Sequence, residues 1–520
     1  MSYHWLSGYL VIWLSCHHIG GKHAFVFTQC QAIHARSLLP CQDSPGIKFT
    51  YRATLIVPAE LTALMGAIPV GDIKEGRLTG ESIGVGNKVS YSFEQPTPIP
   101  SYLIGLAIGD IHCREIGARS RVWSEPELLD ACAYEFSEIE EFIKCGESIA
   151  GPYIWGSCDL LVLPPSYPYG GMEHPCLIFV TPTLLAGDRS LAAVLIHEIS
   201  HSWTGNLVTC ATWDHFWLNE GFTVFLERKI ISRLNSEKLR HMEFLNGYDS
   251  LLNSVKRFGS DHEFTKLVPT VRDTDPDDAF SSVPYEKGSC FLFHLESLVG
   301  GPDNFDPFIK AYIDKFKGDG LITTDLFKKF FLEFFSEEVG TGCFSSLDWD
   351  NWFYSPGMPA PSIIPSCFDS SLQQPCIELS NRWINISADE LATLDSSFEL
   401  YSSLSPLQKR DLLSLLLRAD IPLPITHLIK MKTLYNMEDS KNAEIKFKWL
   451  SLCLRSNWEE MYVQVASFLT EVGRMKFVRP LYRNLYKAEN GRDIALKLFK
   501  QHKHIYHNIC ATMVAKDLEI

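Results

Sequence analysis

Apolar and polar positions alternate from Lys48 to Val57, with Phe49, Tyr51, Ala53, Leu55 and Val57 sharing one parity and Pro58 closing the run. A period of two predicts a half-buried strand, ended by a residue that cannot donate to a ladder. Shorter runs at Tyr91–Phe93 and Tyr102–Ile108, punctuated by Gly and Pro, extend the β reading over residues 20 to 108. The period changes after Pro126. From Leu128 to Ile149 a stripe of Leu129, Ala133, Phe136, Ile139, Phe142 and Ile143 recurs at helical spacing, with acidic residues elsewhere. Asp159–Leu163 is a short apolar strand stopped by Pro164 and Pro165, and Leu191–Ser202 and Phe216–Ile231 read as helices. Further amphipathic helices run to about Trp352, and the Pro-rich text from Ser355 to Ser362 reads as an extended boundary. After Ser370 the pattern is helical to the end, as in Leu407–Leu417, Ala443–Leu454 and Trp458–Leu469. Such helices stack in pairs, although no strict sequence repeat is present.

A chain of 520 residues is too long for one core, and about two to four domains are expected. The changes of period divide it into a β domain over 1–108, a mixed domain over 109–353, a linker over 354–369 and an all-α domain over 370–520. Apolar residues make up 46%, a globular composition. Lys plus Arg is 47 against 62 Asp plus Glu, a net charge of −15 that repels a phosphate backbone and argues against nucleic-acid binding. The 15 cysteines form no CxxC pair, which reads as free thiols in a reducing compartment, the cytoplasm; Cys176, Cys290 and Cys453 sit in apolar text and read as core. The apolar run Leu10–Leu14 is short, lacks a basic segment before it and is followed by His17 and His18. No later run reaches the ~18 to 20 apolar residues of a membrane span, so a soluble protein is expected, without a membrane partner; a monomer is the expected state.

The candidate chemistry is concentrated in His197-Glu198-Ile199-Ser200-His201 and in Glu220, which lies 19 residues after His201. On a helix this HExxH spacing puts both histidines on one face, one turn apart. Two imidazoles and a carboxylate from a second helix leave zinc an open fourth position. Glu198, between the histidines, is placed to act on water as a general base. One zinc per chain, held by His197, His201 and Glu220, is the expected cofactor.

The runs Gly170–Pro182, His197–Thr209 and Trp213–Gly221 together closely resemble the M1 family of zinc aminopeptidases, and the resemblance spans about residues 20 to 520. It implies an N-terminal all-β saddle, a thermolysin-like α+β zinc catalytic domain and a C-terminal all-α, armadillo-like domain. Family members carry more sequence before Phe27, so the saddle is expected to be incomplete, leaving strand edges open. The resemblance also implies roles. Glu173, in Gly170-Gly171-Met172-Glu173, grips the α-amine of a peptide, and Gly170 and Gly171 let the backbone approach it. Tyr285 stabilises the oxyanion. Asp277 lines the substrate pocket among the acidic neighbours Asp273, Asp275 and Asp278. Arg474 and Lys476 hold a distant carboxylate, for which the planar donors of Arg are suited. Gln29 and Gln31 lie near the first pocket, and Trp213 and Phe216 line apolar space beside the metal. Two positions depart from the family pattern: His174 replaces Asn, and Phe280 replaces a Tyr found in the branch that also opens a lipid epoxide.

Short peptides are therefore the expected substrates, with a lipid epoxide as a second one on the same site. A peptidase without the lipid reaction, and a non-catalytic peptide-binding protein, are the alternatives. A decayed site would be expected to lack at least one of His197, Glu198, His201, Glu220 or Tyr285, and all five are present.

Overall fold

A computed structural model describes residues 12–15, 24–83, 87–318, 320–336, 344, 347–392, 394 and 397–520. His17 and His18 lie outside the described residues. The first part of the chain is all β, beginning with β1 (Ile12–Ser15), β2 (Phe25–Thr28), β3 (Lys48–Pro58) and β4 (Thr62–Met65). One sheet runs β1, β2, Leu106–Gly109, β4, and β1 covers the outer edge of β2 with Ile12 opposite Thr28 and Ser15 opposite Phe25. β3 pairs antiparallel with the long strand Lys88–Pro100, and its exposure alternates as the period of two requires.

A third sheet has the order His112–Gly117, Ser120–Ser124, Asp159–Val162, Leu177–Val180, Gly171–Met172. Its inner pairs are parallel and its two edges antiparallel. Asp159–Val162 and Leu177–Val180 are buried throughout, which is why they read as continuous apolar runs. Gly171–Met172 forms one edge, beside the catalytic helices.

The stripe from Leu128 to Ile149 folds as two helices, α1 (Leu129–Glu135) and α2 (Ile139–Ala150). The turn between them keeps Phe136 and Ile139 in the core. It also leaves Glu135 facing a loop, where its carboxylate accepts from the amides of Gly187 at 2.9 Å and Arg189 at 2.8 Å. Those two bonds are a tertiary gain that the periodicity could not show. Next come α3 (Ala193–Ser200), α4 (Trp217–Leu234), α5 (Glu237–Phe258), the short α6 (Pro276–Ala279) and α7 (Val283–Leu298). α4 and α7 cross where Gly221 meets Gly288. A Cβ on Gly288 would lie 2.9 Å from the Gly221 Cα, and one on Gly221 would lie 2.8 Å from the Gly288 Cα. Only two residues without side chains allow this approach, and it brings Glu220 of α4 alongside the first turn of α7, which holds Tyr285.

The remainder is helical and has its own core, including Trp383, Leu412, Trp449, Phe477 and Tyr482. The helix Pro406–Arg418 starts on a reciprocal cap between Ser405 and Gln408, with Pro406 at its first position. The stretch Trp458–Leu469 divides into a 3-10 turn, Glu459–Met461, and the helix Tyr462–Glu471. The Pro-rich stretch is less linker-like than its composition: Ile364 and Phe368 are buried in the catalytic core, and Phe368 stacks on Phe244 of α5 at 4.9 Å. No helix among the described residues is long and apolar enough to cross a membrane.

Substituting Gly288→Ala should force α4 and α7 apart. Overpacking of this kind costs about 1 to 3 kcal/mol. Guanidinium unfolding of the zinc-loaded protein should show that loss, and unchanged stability would mean that the crossing relaxes freely.

Candidate active site

α3 and its C-cap place His197 and His201 one turn apart, and α4 brings up Glu220. The three ligand atoms converge. His201 Nε2 lies 3.2 Å from Glu220 Oε2, His197 Nε2 lies 3.5 Å from it, and the two Nε2 atoms are 3.2 Å apart. Zinc bound at ~2.0–2.2 Å by tetrahedral donors sets those donors about 3.3 Å from one another. The spacing therefore fits.

The protonation of the ring nitrogens supports the same reading. His201 Nδ1 donates to the Thr204 carbonyl at 2.9 Å, and His197 Nδ1 donates to Glu227 Oε2 at 3.0 Å. In the neutral imidazoles both Nε2 atoms are then lone pairs, aimed at each other and at a carboxylate oxygen. Glu220 Oε2 is itself buried without a hydrogen-bond partner. Lone pairs facing one another out of water require a cation among them. Burial alone would raise the Glu220 carboxyl; with no ion between them only protonated imidazoles could hold it down, at about 2, and a bound cation takes over that role with the rings neutral.

A second group shares His201. Glu173, Glu198 and His201 offer atoms within 4.8 Å of one another, and all three residues are buried. Burial raises the Glu198 carboxyl to about 8, with Glu173 adding to the rise and His197 opposing it. A divalent ion alongside restores the carboxylate. Glu173 is also raised by burial, and its Oε1 has no hydrogen-bond partner. Asn206 fixes the Glu173 backbone by donating to its carbonyl at 2.7 Å. The glycines before it serve distinct neighbours. A Cβ on Gly171 would lie 2.3 Å from Glu198 Oε1, and one on Gly170 would lie 2.6 Å from Arg474 Nη2. Gly171 thus makes room for the base, and Gly170 for a guanidinium from the helical domain. Tyr285 stacks on the His197 ring at 5.9 Å, with Phe280 and Phe216 at its edges.

Beside this centre lies a cleft whose lining includes Gln31, Trp213, Phe216, Asp277 and Phe280. Gln29 is behind the wall: it accepts from the Tyr167 hydroxyl at 3.3 Å and donates to Met172 Sδ at 3.3 Å. Arg474 is buried, its Nε has no partner, and its nearest carboxylate, Glu444, is 3.7 Å away. Lys476 is not free in the same way, since its ammonium lies 2.5 Å from Glu444. His174 points away from the metal toward the β domain, donating to the Leu103 carbonyl at 3.0 Å and meeting the Phe179 ring edge to face. Burial lowers its pKa to about 4, so it stays neutral and acts by packing. Gly66 and Gly105 leave the space it fills.

Sequence reasoning overlooked Glu227 and Thr223. Thr223 bonds both His201 Nδ1, at 3.1 Å, and the Thr204 carbonyl, at 2.8 Å. The signal was available, since Glu220, Thr223 and Glu227 stand at i, i+3 and i+7 on one face of α4. Glu444, which balances Arg474 and Lys476 from a distant helix, had no such signal.

These features define a zinc peptidase site with a further buried carboxylate, Glu173, beside the metal ligands. Residues 15–103 match the peptidase M1 N-terminal domain, 134–341 the peptidase family M1 domain, and 404–518 the C-terminal domain of leukotriene A4 hydrolase. Leukotriene A-4 hydrolase of Xenopus laevis is 47% identical over 98% of this chain and 81% of its own length. Leucine aminopeptidase 2 of Coccidioides immitis is 44% identical over 96% of this chain and 78% of its own. The yeast LTA4 hydrolase in complex with bestatin superposes with a TM-score of 0.88 at 39% identity, covering 98% of this chain and 80% of that one. The chain belongs to the M1 peptidase family, and it is a zinc aminopeptidase.

Purified protein should hold one zinc per chain, and His201→Ala should lose it by elemental analysis while Glu198→Gln keeps it. Zinc retained by His201→Ala would remove that residue from the ligand set.

Proposed function

We propose that the protein releases N-terminal residues from short peptides, with Glu173 setting the point of cleavage. The observation that carries this is the buried, unpartnered Glu173 carboxylate oxygen beside the metal triad. A buried carboxylate is stable there only opposite a cation, and the α-ammonium of a peptide supplies one. Holding that ammonium at a fixed distance from the metal admits only the first peptide bond. The metal, once bound by His197, His201 and Glu220, supplies Lewis acidity toward the scissile carbonyl. Glu198 takes the proton of the attacking water and passes it to the departing nitrogen. Tyr285 donates its hydroxyl to the oxyanion. Arg474, with unused donors, receives the C-terminal carboxylate of a tripeptide, while Lys476 and Glu444 hold the local charge balance.

The apolar cleft favours a second substrate on the same metal, a lipid epoxide whose carboxylate would take the Arg474 site and whose chain would lie along Trp213, Phe216 and Phe280. Phe280 keeps the ring of the family's tyrosine without its hydroxyl, so peptide hydrolysis does not depend on it. The thirteen cysteines described are all free, which supports a reducing, cytoplasmic setting.

Glu198→Gln should keep zinc and lose about 10²- to 10⁴-fold in kcat, because glutamine preserves shape without basicity. Near-normal turnover would exclude Glu198 as the base, and absence of hydrolysis by the zinc-loaded parent would favour a peptide-binding protein. Arg474→Ala should impair a free-carboxylate tripeptide and a lipid epoxide much more than an alanyl anilide, which has no carboxylate. Equal losses on tripeptide and anilide would make Arg474 structural.

A further inference from the structure

The carboxylate of Asp277 faces the cleft and is shared with the N-terminal domain. His34 Nε2 lies 3.0 Å from Asp277 Oδ2, and both side chains are mostly buried, at 25% and 16% exposure. Among the described residues His34 is the one side chain that hydrogen-bonds this carboxylate. The contact is built from both sides. His34 sits in the turn after β2, its amide bonded to the Cys30 carbonyl at 2.9 Å, and Gln31 of the same turn lines the cleft. α6, which carries Asp277, is fixed by three further bonds. The Asp275 carboxylate accepts from the Asp277 amide at 3.1 Å, Lys516 pairs with Asp278 at 2.7 Å, and Arg257 donates to the Phe280 carbonyl at 3.0 Å. With backbone motion so restricted, the charge that Asp277 presents to the cleft depends mainly on the proton of His34.

We propose that His34 sets the preference between a basic and a neutral first residue, by occupying the Asp277 carboxylate when protonated and releasing it when neutral. The proposal rests on the reading that Asp277 faces the side chain of the substrate. The charged groups around His34 are Asp277 and Asp275 from α6 and Asp43 from its own domain, and the start of the last helix brings up His507. The hydrogen bond to Asp277 raises the His34 pKa above its ordinary value, burial opposes the rise, and Asp275 and Asp43 add to it. His507 is pushed down to about 3 by burial, with His34 contributing, so it stays neutral while His34 titrates. The sign follows. A raised pKa keeps the ion pair with Asp277 intact at low pH and releases the carboxylate as pH rises through the His34 value. A guanidinium entering the cleft meets an imidazolium at low pH and an uncompensated carboxylate at high pH.

The readout is the ratio of kcat/KM for an arginyl anilide to that for an alanyl anilide, followed with pH on the zinc enzyme. Titration of the metal site and of the substrate amine affects both substrates and largely divides out. The ratio should rise about three- to tenfold from about pH 6 to pH 9, a one-unit pKa shift being a factor of ten. In His34→Gln the ratio should lose its pH dependence, and in Asp277→Asn it should be low at every pH. A flat ratio in the parent, with Asp277→Asn still lowering it, would overturn the role of His34 and leave Asp277 in the pocket. No change in Asp277→Asn would overturn both. A ratio that still rises with pH in His34→Gln assigns the titration elsewhere and also overturns the proposal. An independent measurement needs no variant: by linkage, arginine hydroxamate should lower the His34 pKa seen by NMR of histidine-labelled protein more than alanine hydroxamate does. Equal values with the two ligands would exclude the coupling.

Discussion

Three carboxylates, Glu173, Glu198 and Glu220, are buried together against two imidazoles, and the surrounding structure is arranged around that fact. Buried charge of one sign is tolerated only when cations answer it. On one side the answer is the metal between His197, His201 and Glu220. On the other, Glu173 keeps a buried carboxylate oxygen without a hydrogen-bond partner. The same electrostatic demand therefore selects the cofactor and leaves Glu173 open to a second cation.

Holding these groups together takes close backbone approaches as well as charge. Gly221 and Gly288 let α4 and α7 cross, which sets Glu220 beside Tyr285. Gly171 gives Glu198 its place and Gly170 gives Arg474 its place. Glycine at these positions costs chain entropy on folding, and the gain is a site whose carboxylates and imidazoles sit within a few ångströms of one another.

The flanking domains are part of the site. The Tyr102 hydroxyl of the β domain donates to the Gly205 carbonyl at 3.1 Å and accepts from Asn219 of α4 at 3.2 Å, bracing the loop that follows the HExxH helix. Lys48 donates to the Asn206 carbonyl at 3.3 Å and the Leu207 carbonyl at 2.9 Å in the same loop. His174 packs back into that β domain. The helical domain contributes Arg474 and, through Lys516, a hold on α6. The surroundings of the metal centre thus draw residues from all three parts of the chain.

Much of this was legible in the residues alone. HExxH with a later glutamate identifies a metal site because helix geometry repeats within a few residues, and the strand β3 shows its half-buried face for the same reason. The helical faces of the C-terminal part were legible too, along with a composition suited to a folded acidic protein. The sequence by itself therefore determined the chemistry of the centre and the class of fold. The break between α1 and α2, the burial of Ile364 and Phe368 in Pro-rich text, the pairing of Glu444 with Lys476 and the contact of His34 with Asp277 were decided only in three dimensions. Each depends on a partner far along the chain, and periodicity carries no information about such a partner. Local backbone geometry repeats, whereas the docking of one domain on another is settled by burial and charge summed over whole surfaces.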